Sequence, residues 1–464
     1  MQNTPFTQID TIIACQKAAF ATGRTLPISF RREMLAQLLS GIKKWEKPLL
    51  AALWTDLHKS AEEAYLTELS LVLAEIRTAR RKVGRWSRRE MKMPTMAVFP
   101  SMSYVVKEPL GTALIVSPWN YPVQLLLSPL VGAIAAGCTA VLKPSPYVPN
   151  VAKVLGDMIA DTFPSDYIAV VQGNREVNTH LFAHPFDLIF YTGSPAVAHT
   201  VMEAAAKHLT PVVLELGGKS PCIIDRTANI DVAAKRIAWG KTLNSGQTCI
   251  APDYILIHRD VKAAFIAAFQ RQLAALHGPD MQQSAHYVRM VSDRAFARVT
   301  SYMEQGTIVS GGHTDAATRY IEPTLLDDVS PEAPVMQEEI FGPIFPLITL
   351  DDEGGTTFAE KVQQFVTARP KPLAFYYYGK EKTGWQLVRR TSSGGACIND
   401  SIMHIVNPHT PFGGVGNSGM GRYHDRESFE AFTHRRSVLV SPTWIDLPFR
   451  YMPYKLFGLI KHLV

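Results

Sequence analysis

The sequence predicts an α/β protein built from two consecutive units, each an open sheet of largely parallel strands with helical connections. Three observations carry this. Short apolar runs alternate with stretches of helical periodicity, the pattern of βαβ units. The alternation occurs as two series, meeting near residues 216–218. The 464 residues, 47% hydrophobic and 19% charged, are enough for two or three domains and exclude a disordered, collagen-like or coiled-coil chain.

Residues 6–89 read as helical, because apolar positions recur at intervals of three and four in FRREMLAQLLSGIKKWEKPLLAALW and EAYLTELSLVLAEIRTARRKV. Residues 93–107, MPTMAVFPSMSYVVK, carry two alternating runs around Pro100 and Ser101 and predict a protruding hairpin. The first strand series follows as GTALIVSP, TAVLKP, YIAVVQG, FDLIFYTGS and PVVLELGG. The second comprises SPCIIDRTA, a helix over 231–245, DYILIHRD, a helix over 261–276, LAFYYYG, a helix over 382–391, and GACIND. Residues 123–142 form the longest apolar stretch, close to the roughly 20 residues that span a bilayer. Polar and turn residues interrupt it, so a buried helix followed by a buried strand is the expectation.

The formal charge of +6 is concentrated in residues 77–92, which hold eight basic residues and one acidic one and leave the remainder nearly neutral. Its basic residues recur at helical spacing, which predicts a solvated face or a contact to acidic groups of another subunit, and no nucleic-acid partner. Five scattered cysteines without a CxxC pair argue for a reducing compartment and against a disulfide framework. No signal peptide is expected from MQNTPFTQID, and the expected location is cytoplasmic.

Cys249, in NSGQTCI, follows a glycine-containing turn whose backbone N–H groups can lower a thiol pKa and hold an oxyanion; alternatively it is a small buried hydrophobe. Glu215 ends an apolar strand, where ligands of open α/β sheets bind, and is placed either for general-base work or as an ordinary turn carboxylate. The following GGKS lacks the earlier glycine of a phosphate-binding loop, with Val213 in its place. Gly193 and Ser194 link a strand to a helix with Ser194 as N-cap and Pro195 at the first helical position, an anion site suited to a pyrophosphate or a simple capped connection. Asn120 offers an amide to a developing oxyanion; Glu338 and Glu339 precede an aromatic residue and a turn. The formal GxGxxG at 414–419 lacks a preceding strand, and its glycines more plausibly shape a loop near the site. His180 and His184 are four apart but followed by Pro185, and no metal is expected. There is no GxSxG elbow.

Together, DLHKS, PWNYP, AVLKPS, FYTGS, LELGGKSPC, RIAWGKTLNSGQTCIAPDYIL, EEIFGP and TPFGGVGNSGMG resemble the aldehyde dehydrogenase superfamily, within it the class 3 or fatty-aldehyde branch. The match covers most of the chain, in the order and at the separations the resemblance requires. It implies the aldehyde dehydrogenase fold: a Rossmann-like cofactor domain (1–90 and 108–217), a second α/β catalytic domain (218–421), a β bridging or oligomerisation element (91–107 and 422–440) and a tail (441–464). It implies NAD(P)-dependent oxidation of a medium-chain, fatty or aromatic aldehyde. Cys249 would be the nucleophile, Asn120 and the Cys249 N–H the oxyanion donors, and Glu215 the general base. Glu339 would contact the nicotinamide ribose and rival Glu215 as base. Lys143 would bind the adenosine ribose, Ser194 the pyrophosphate, and Phe341 would pack by the nicotinamide; Ser117, Trp119, Gly193 and Leu216 are further expected cofactor contacts.

Two departures stand out. Pro146 replaces the glutamate that commonly accepts from the ribose 2′-hydroxyl, which predicts that NADP serves at least comparably to NAD. Ala198 replaces a glycine of the helix after Ser194, which puts the pyrophosphate geometry in question but not the site. Tyr65, Trp119, Tyr121 and residues 401–406 predict an apolar substrate funnel. Competing readings are a coenzyme A-acylating enzyme and a catalytically silent binding protein on the same fold; both glutamates favour water as the acyl acceptor. The branch implies a homodimer. Residues 449–464, basic and apolar without an acidic residue, are too short to span a bilayer; they lie on a membrane surface, fold over the funnel or dock on the body.

Overall fold

Residues 112–116 (TALIV) and 139–143 (TAVLK) are buried at every position, as strands covered on both faces require. They form the centre of the first sheet. In the computed structural model, which describes residues 2–95, 98–446, 450–454 and 457–461, this sheet runs in the order Val212–Leu216, Leu188–Gly193, Thr112–Val116, Thr139–Lys143, Ile168–Val170. All five strands are parallel, and Gly419–Met420 adds an antiparallel edge against Leu214 and Glu215. The chain moves outward from Thr112–Val116 in one direction and then resumes on its other side. That reversal opens a crevice at the carboxyl ends of Thr112–Val116 and Leu188–Gly193, where ligands of such sheets bind.

The apolar stretch at 123–142 resolves as expected into the fully buried helix Gln124–Ala136 and the strand Thr139–Lys143. The turn between them needs Gly137, whose φ of 97° suits glycine. The helical N-terminal region forms Phe6–Ala21, Ile28–Lys44, Glu46–Leu57 and Ser70–Trp86, with a π-helical turn at Tyr65–Leu69. Gln16 fastens the first of these to the sheet by donating to the Ala140 carbonyl at 3.0 Å.

The second sheet has the order Thr307–Ser310, Thr324–Asp327, Ile344–Leu350, Tyr254–His258, Pro221–Ile224, Ala374–Tyr378, Gly395–Ile398, parallel except for Thr307–Ser310. Its first three strands escape a sequence reading: Pro346 interrupts one of them, and the others are four residues long. The helix expected over 231–245 spans Ile230–Thr242. It stops short because Asn244, Ser245 and Gly246 adopt φ values of 51°, 53° and 72°.

The hairpin expected over 93–107 is corrected. Only its second run forms a strand, Met102–Pro109, which pairs with Glu90–Lys92 on one side and Thr433–Val440 on the other. Residues 93–95 have no regular structure, and residues 96 and 97 lie outside the described residues.

Candidate active site

The loop after Thr112–Val116 carries Asn120 into the crevice, and a buried ion pair fixes it there. Lys59 and Glu68 meet at 2.7 Å with both side chains fully buried. Lys59 also donates to the Asn120 carbonyl at 3.0 Å, while Glu68 accepts from the Val123 N–H at 2.8 Å. The π-helical turn aims Glu68 at the start of the Gln124–Ala136 helix. Asn120 is 2% exposed; its Nδ2 donates one hydrogen to the Gln247 carbonyl at 3.0 Å, and the second remains for a ligand.

Cys249 is set by the left-handed turn that precedes it. Asn244 donates through Nδ2 to the carbonyls of Asn120 and Gln247, both at 3.0 Å, so one side chain ties the Asn120 loop to the Cys249 loop. The Gln247 amide donates to the Asn244 and Arg289 carbonyls and accepts from the Val291 N–H at 3.0 Å. Gly246 lies against the Gly342 carbonyl, where a Cβ would sit at 2.4 Å. The Ala251 N–H closes a turn onto Thr248 at 2.9 Å and leaves Cys249 half-buried at its second position. Glu63, whose burial pushes its carboxyl up to about 7, accepts from the Asn244 N–H at 2.9 Å.

Two carboxyl groups face this thiol. Glu215 is 2% exposed at the end of its strand, and burial pushes it up to about 8, opposed by its contact with the Cys249 thiol. Glu339 lies over Gly217, whose missing side chain leaves its space: a Cβ there would meet the carboxylate at 2.0 Å. Burial raises Glu339 strongly, and the nearby Asp253 and Glu215 add to this. For Cys249 the expectation of a lowered pKa is reversed, because burial and the carboxylates of Glu215 and Glu339 raise it, outweighing its own backbone N–H. Burial thus favours the protonated form of the thiol and of both carboxyl groups that face it.

Lys219, from the GGKS once considered for phosphate, is used as a strut: it pairs with Asp253 and donates to the carbonyls of Val335 at 2.8 Å and Glu338 at 2.9 Å. Arg298 holds the same loop through the carbonyls of Glu339 at 3.2 Å and Ile340 at 2.8 Å. Phe341 is thereby held at φ 49°, an uncommon conformation for an aromatic residue, with its ring edge-on to Trp119 at 5.3 Å. Glu338 points outward to Tyr302 and Arg298.

Asn120, Glu215, Cys249 and Glu339 share one cleft of about 910 Å³ with Trp119, Gly193, Ser194 and Phe341. Ser117, Lys143 and Leu216 do not line it: Ser117 and Leu216 are buried beneath, and Lys143 donates to the Pro144 carbonyl at 2.9 Å, its amine lowered to about 8 by burial. Trp119 lines the cleft with Phe341, whereas Tyr121 is buried off the cleft with its hydroxyl 2.7 Å from that of Thr248 and so forms no funnel wall. Ser194 takes the N-cap position, but its exposed hydroxyl makes no capping bond. The cleft fits a dinucleotide: the exposed Ser194 hydroxyl stands at a helix N-terminus, and the buried Thr192 hydroxyl on the cleft wall lacks a protein partner. The loop at 414–419 shapes the wall as expected, with Asn417 on the cleft and Gly419 against Glu215.

Lys59, Glu68, Glu63, Asn244, Gln247, Lys219 and Arg298 were not singled out by sequence. Lys59, Lys219 and the NSGQ residues stand in matched motifs, whereas Glu63, Glu68 and Arg298 occupy ordinary helical positions.

A thiol beside two buried carboxyl groups and an amide, at the switch point of a parallel sheet, is an arrangement suited to a nucleotide-dependent enzyme. The chain belongs to the aldehyde dehydrogenase family, whose profile matches residues 1–438; it is an NAD(P)-dependent aldehyde dehydrogenase. It is 46% identical to the 4,4'-diaponeurosporen-aldehyde dehydrogenase of Staphylococcus aureus (strain NCTC 8325 / PS 47), over 95% of each chain. It is 43% identical to the "aldehyde dehydrogenase, dimeric NADP-preferring" of Canis lupus familiaris, over 96% of this chain and 98% of that one. The solved substrate-bound state of Staphylococcus aureus AldH superposes with a TM-score of 0.95 at 45% identity, covering 98% of this chain and 99% of the other.

Proposed function

We propose that the chain oxidises an apolar aldehyde, medium-chain, fatty or aromatic, to its carboxylic acid through a thioester on Cys249. The observation that carries this is the meeting of Asn120, Glu215, Cys249 and Glu339 in one cleft. Glu215 takes the thiol proton as Sγ adds to the carbonyl carbon, and the Asn120 Nδ2 and Cys249 N–H hold the oxyanion. When bound, the nicotinamide supplies the acceptor for the hydride that the thiohemiacetal expels. Once Glu215 has passed that first proton to solvent, it, with Glu339 as its rival, deprotonates a water that attacks the thioester; the acid leaves and the expelled thiolate takes the water's proton back from the base.

Apolar substrates are supported by the part-exposed side chains of Tyr65, Leu66, Met403 and Val406, and by the relative named for 4,4'-diaponeurosporen-aldehyde. NADP use at least comparable to NAD is supported by Pro146 and by the relatives named NADP-preferring. The test is a chain-length series of aldehydes assayed with NAD and NADP in parallel. Preference for short polar aldehydes removes the substrate claim. An NAD preference above about a hundredfold, ~2.7 kcal/mol, removes the cofactor claim. A thioester product appearing only with coenzyme A replaces water as the acyl acceptor.

The two large sheets support assigning 1–90 with 108–217 to cofactor binding and 218–421 to catalysis, with 91–107 and 422–440 as the bridge. A homodimer is supported by the free edge of Thr433–Val440 and by the relatives named dimeric. No helix among the described residues is long and apolar enough to cross a membrane. For the tail, contact with a membrane surface from the cytoplasmic side is supported by exposed Trp444, Tyr451, Met452 and Phe457. Tail residues 447–449, 455, 456 and 462–464 lie outside the described residues.

A further inference from the structure

On the opposite approach to the cofactor sheet, the helix Phe6–Ala21 crosses the helix Arg175–Phe182, and three ligand-type side chains converge. The Asp10 Oδ1 lies 2.6 Å from the His180 Nε2 and 3.0 Å from the His184 Nε2, and the two Nε2 atoms are 3.4 Å apart. Phe6, one turn before Asp10, stacks on the His180 ring with centroids 4.3 Å apart and planes 8° from parallel, which fixes that ring's orientation. Lys17 donates to the Pro185 carbonyl at 2.6 Å and binds the same two segments together a little further along.

We propose that Asp10, His180 and His184 form a site for a divalent transition-metal ion of the zinc class, separate from the catalytic cleft. Donor atoms on a tetrahedral zinc, at about 2.0–2.2 Å from the ion, stand about 3.3 Å from one another. The imidazole pair already has that spacing, and the carboxylate oxygen need withdraw by only about 0.7 Å. Two imidazoles and one carboxylate select zinc, cobalt or nickel over magnesium or calcium, which take oxygen ligands. Without an ion, a single carboxylate oxygen faces both Nε2 atoms, which also lie close to each other. With one, both Nε2 lone pairs and the carboxylate point at the same positive charge, and water completes the coordination. The three residues are partly exposed, so the ion has access. None lines the catalytic cleft, so the bound metal acts as a staple between the N-terminal helix and the segment leading into the strand Leu188–Gly193. Pro185, which argues against a metal site in sequence, follows the second histidine without moving its ring from the first.

The test uses the full chain carrying Cys249→Ser, so that the catalytic thiol cannot compete for metal. After chelation and re-addition of Zn2+, this protein is expected to retain one equivalent per chain through gel filtration, and its unfolding midpoint to rise by about 3 °C at a hundredfold excess over the dissociation constant. Co2+ is expected to give a visible ligand-field spectrum without the thiolate-to-cobalt charge-transfer band. Asp10→Asn and His184→Gln are expected to abolish retention, shift and spectrum. The same two substitutions in the unaltered chain are expected to leave aldehyde turnover unchanged, which reports their folding. Failure to retain Zn2+, or equal retention by the two variants, overturns the proposal. A cobalt spectrum dominated by thiolate charge transfer overturns it as well.

Discussion

In the proposed mechanism Cys249 and Glu215 work as one unit, and burial acts on the protonation of both. Neither group is comfortable charged: the thiol is raised by burial and by the facing carboxylates, and Glu215 is raised to about 8. The base is competent only as a carboxylate, so thioester hydrolysis is expected to rise with pH to a plateau above about 8. Glu215→Gln is expected to lower turnover at least a hundredfold and to abolish that limb, which a pH profile of kcat checks. The same residue has a stability signature of fixed sign. Its folded-state pKa of about 8 lies above the ordinary 4.5, so between those values the native protein binds more protons than the unfolded one, and stability falls as pH rises. Glu215→Gln is therefore expected to flatten that fall and to raise the thermal midpoint at pH 8, whereas an unchanged slope would place the buried charge elsewhere.

At the scale of elements, the site depends on how the N-terminal helices grip the Asn120 loop. Lys59 precedes the short helix Ala61–Ala64 and Glu68 lies in the π-helical turn that continues it, which brings the carboxylate onto the Val123 N–H. Removing one partner leaves the other charge buried and uncompensated. Glu68→Gln is expected to cost about 3–5 kcal/mol, read by urea unfolding, and to lower kcat more than it raises the aldehyde KM, because Asn120 loses its anchor. Lys219 and Arg298 do the corresponding work on the loop of Glu339 and Phe341, holding it by backbone carbonyls. These struts were illegible in the sequence for a common reason: a carbonyl acceptor has no side-chain signature, so nothing in the local pattern names the residue that will bind it.

For the whole molecule, the third sheet presents Thr433–Val440 along eight residues with one side paired to Met102–Pro109 and the other free. A row of unpaired N–H and C=O groups of that length is a template for another chain. Ser437 and Val438 are consecutive, so their N–H groups point to opposite sides of the strand. Of Ser437→Pro and Val438→Pro, the one that removes the outward N–H is expected to yield a folded, monomeric protein by light scattering. Dimers from both variants would move the interface off this edge. The basic helix Ser70–Trp86 stands beside this sheet: Lys82 pairs with Asp425 at 3.2 Å, and Arg81, Arg85, Arg88 and Arg89 are exposed. Part of the concentrated charge is thus used within the chain, and part faces outward as the helical spacing implied.

What the sequence determined by itself is whatever depends on periodicity and on short motifs. The two series of buried strands and the helix and strand hidden in residues 123–142 were legible there, and Asn120, Glu215, Cys249 and Glu339 were named there as candidates that share one cleft. The strands and helices are local patterns, whereas each candidate residue kept a structural alternative until its motif was taken together with the others. The tertiary structure decided what depends on approach between distant segments. It brought Lys59 to Asn120, turned the thiol's expected pKa shift from downward to upward by burying it and setting two carboxylates against it, and placed Asp10 within reach of His180, 170 residues away, and of His184 just beyond it. Electrostatic environment and ligand convergence are properties of through-space distance, and a linear sequence fixes them only by way of the fold.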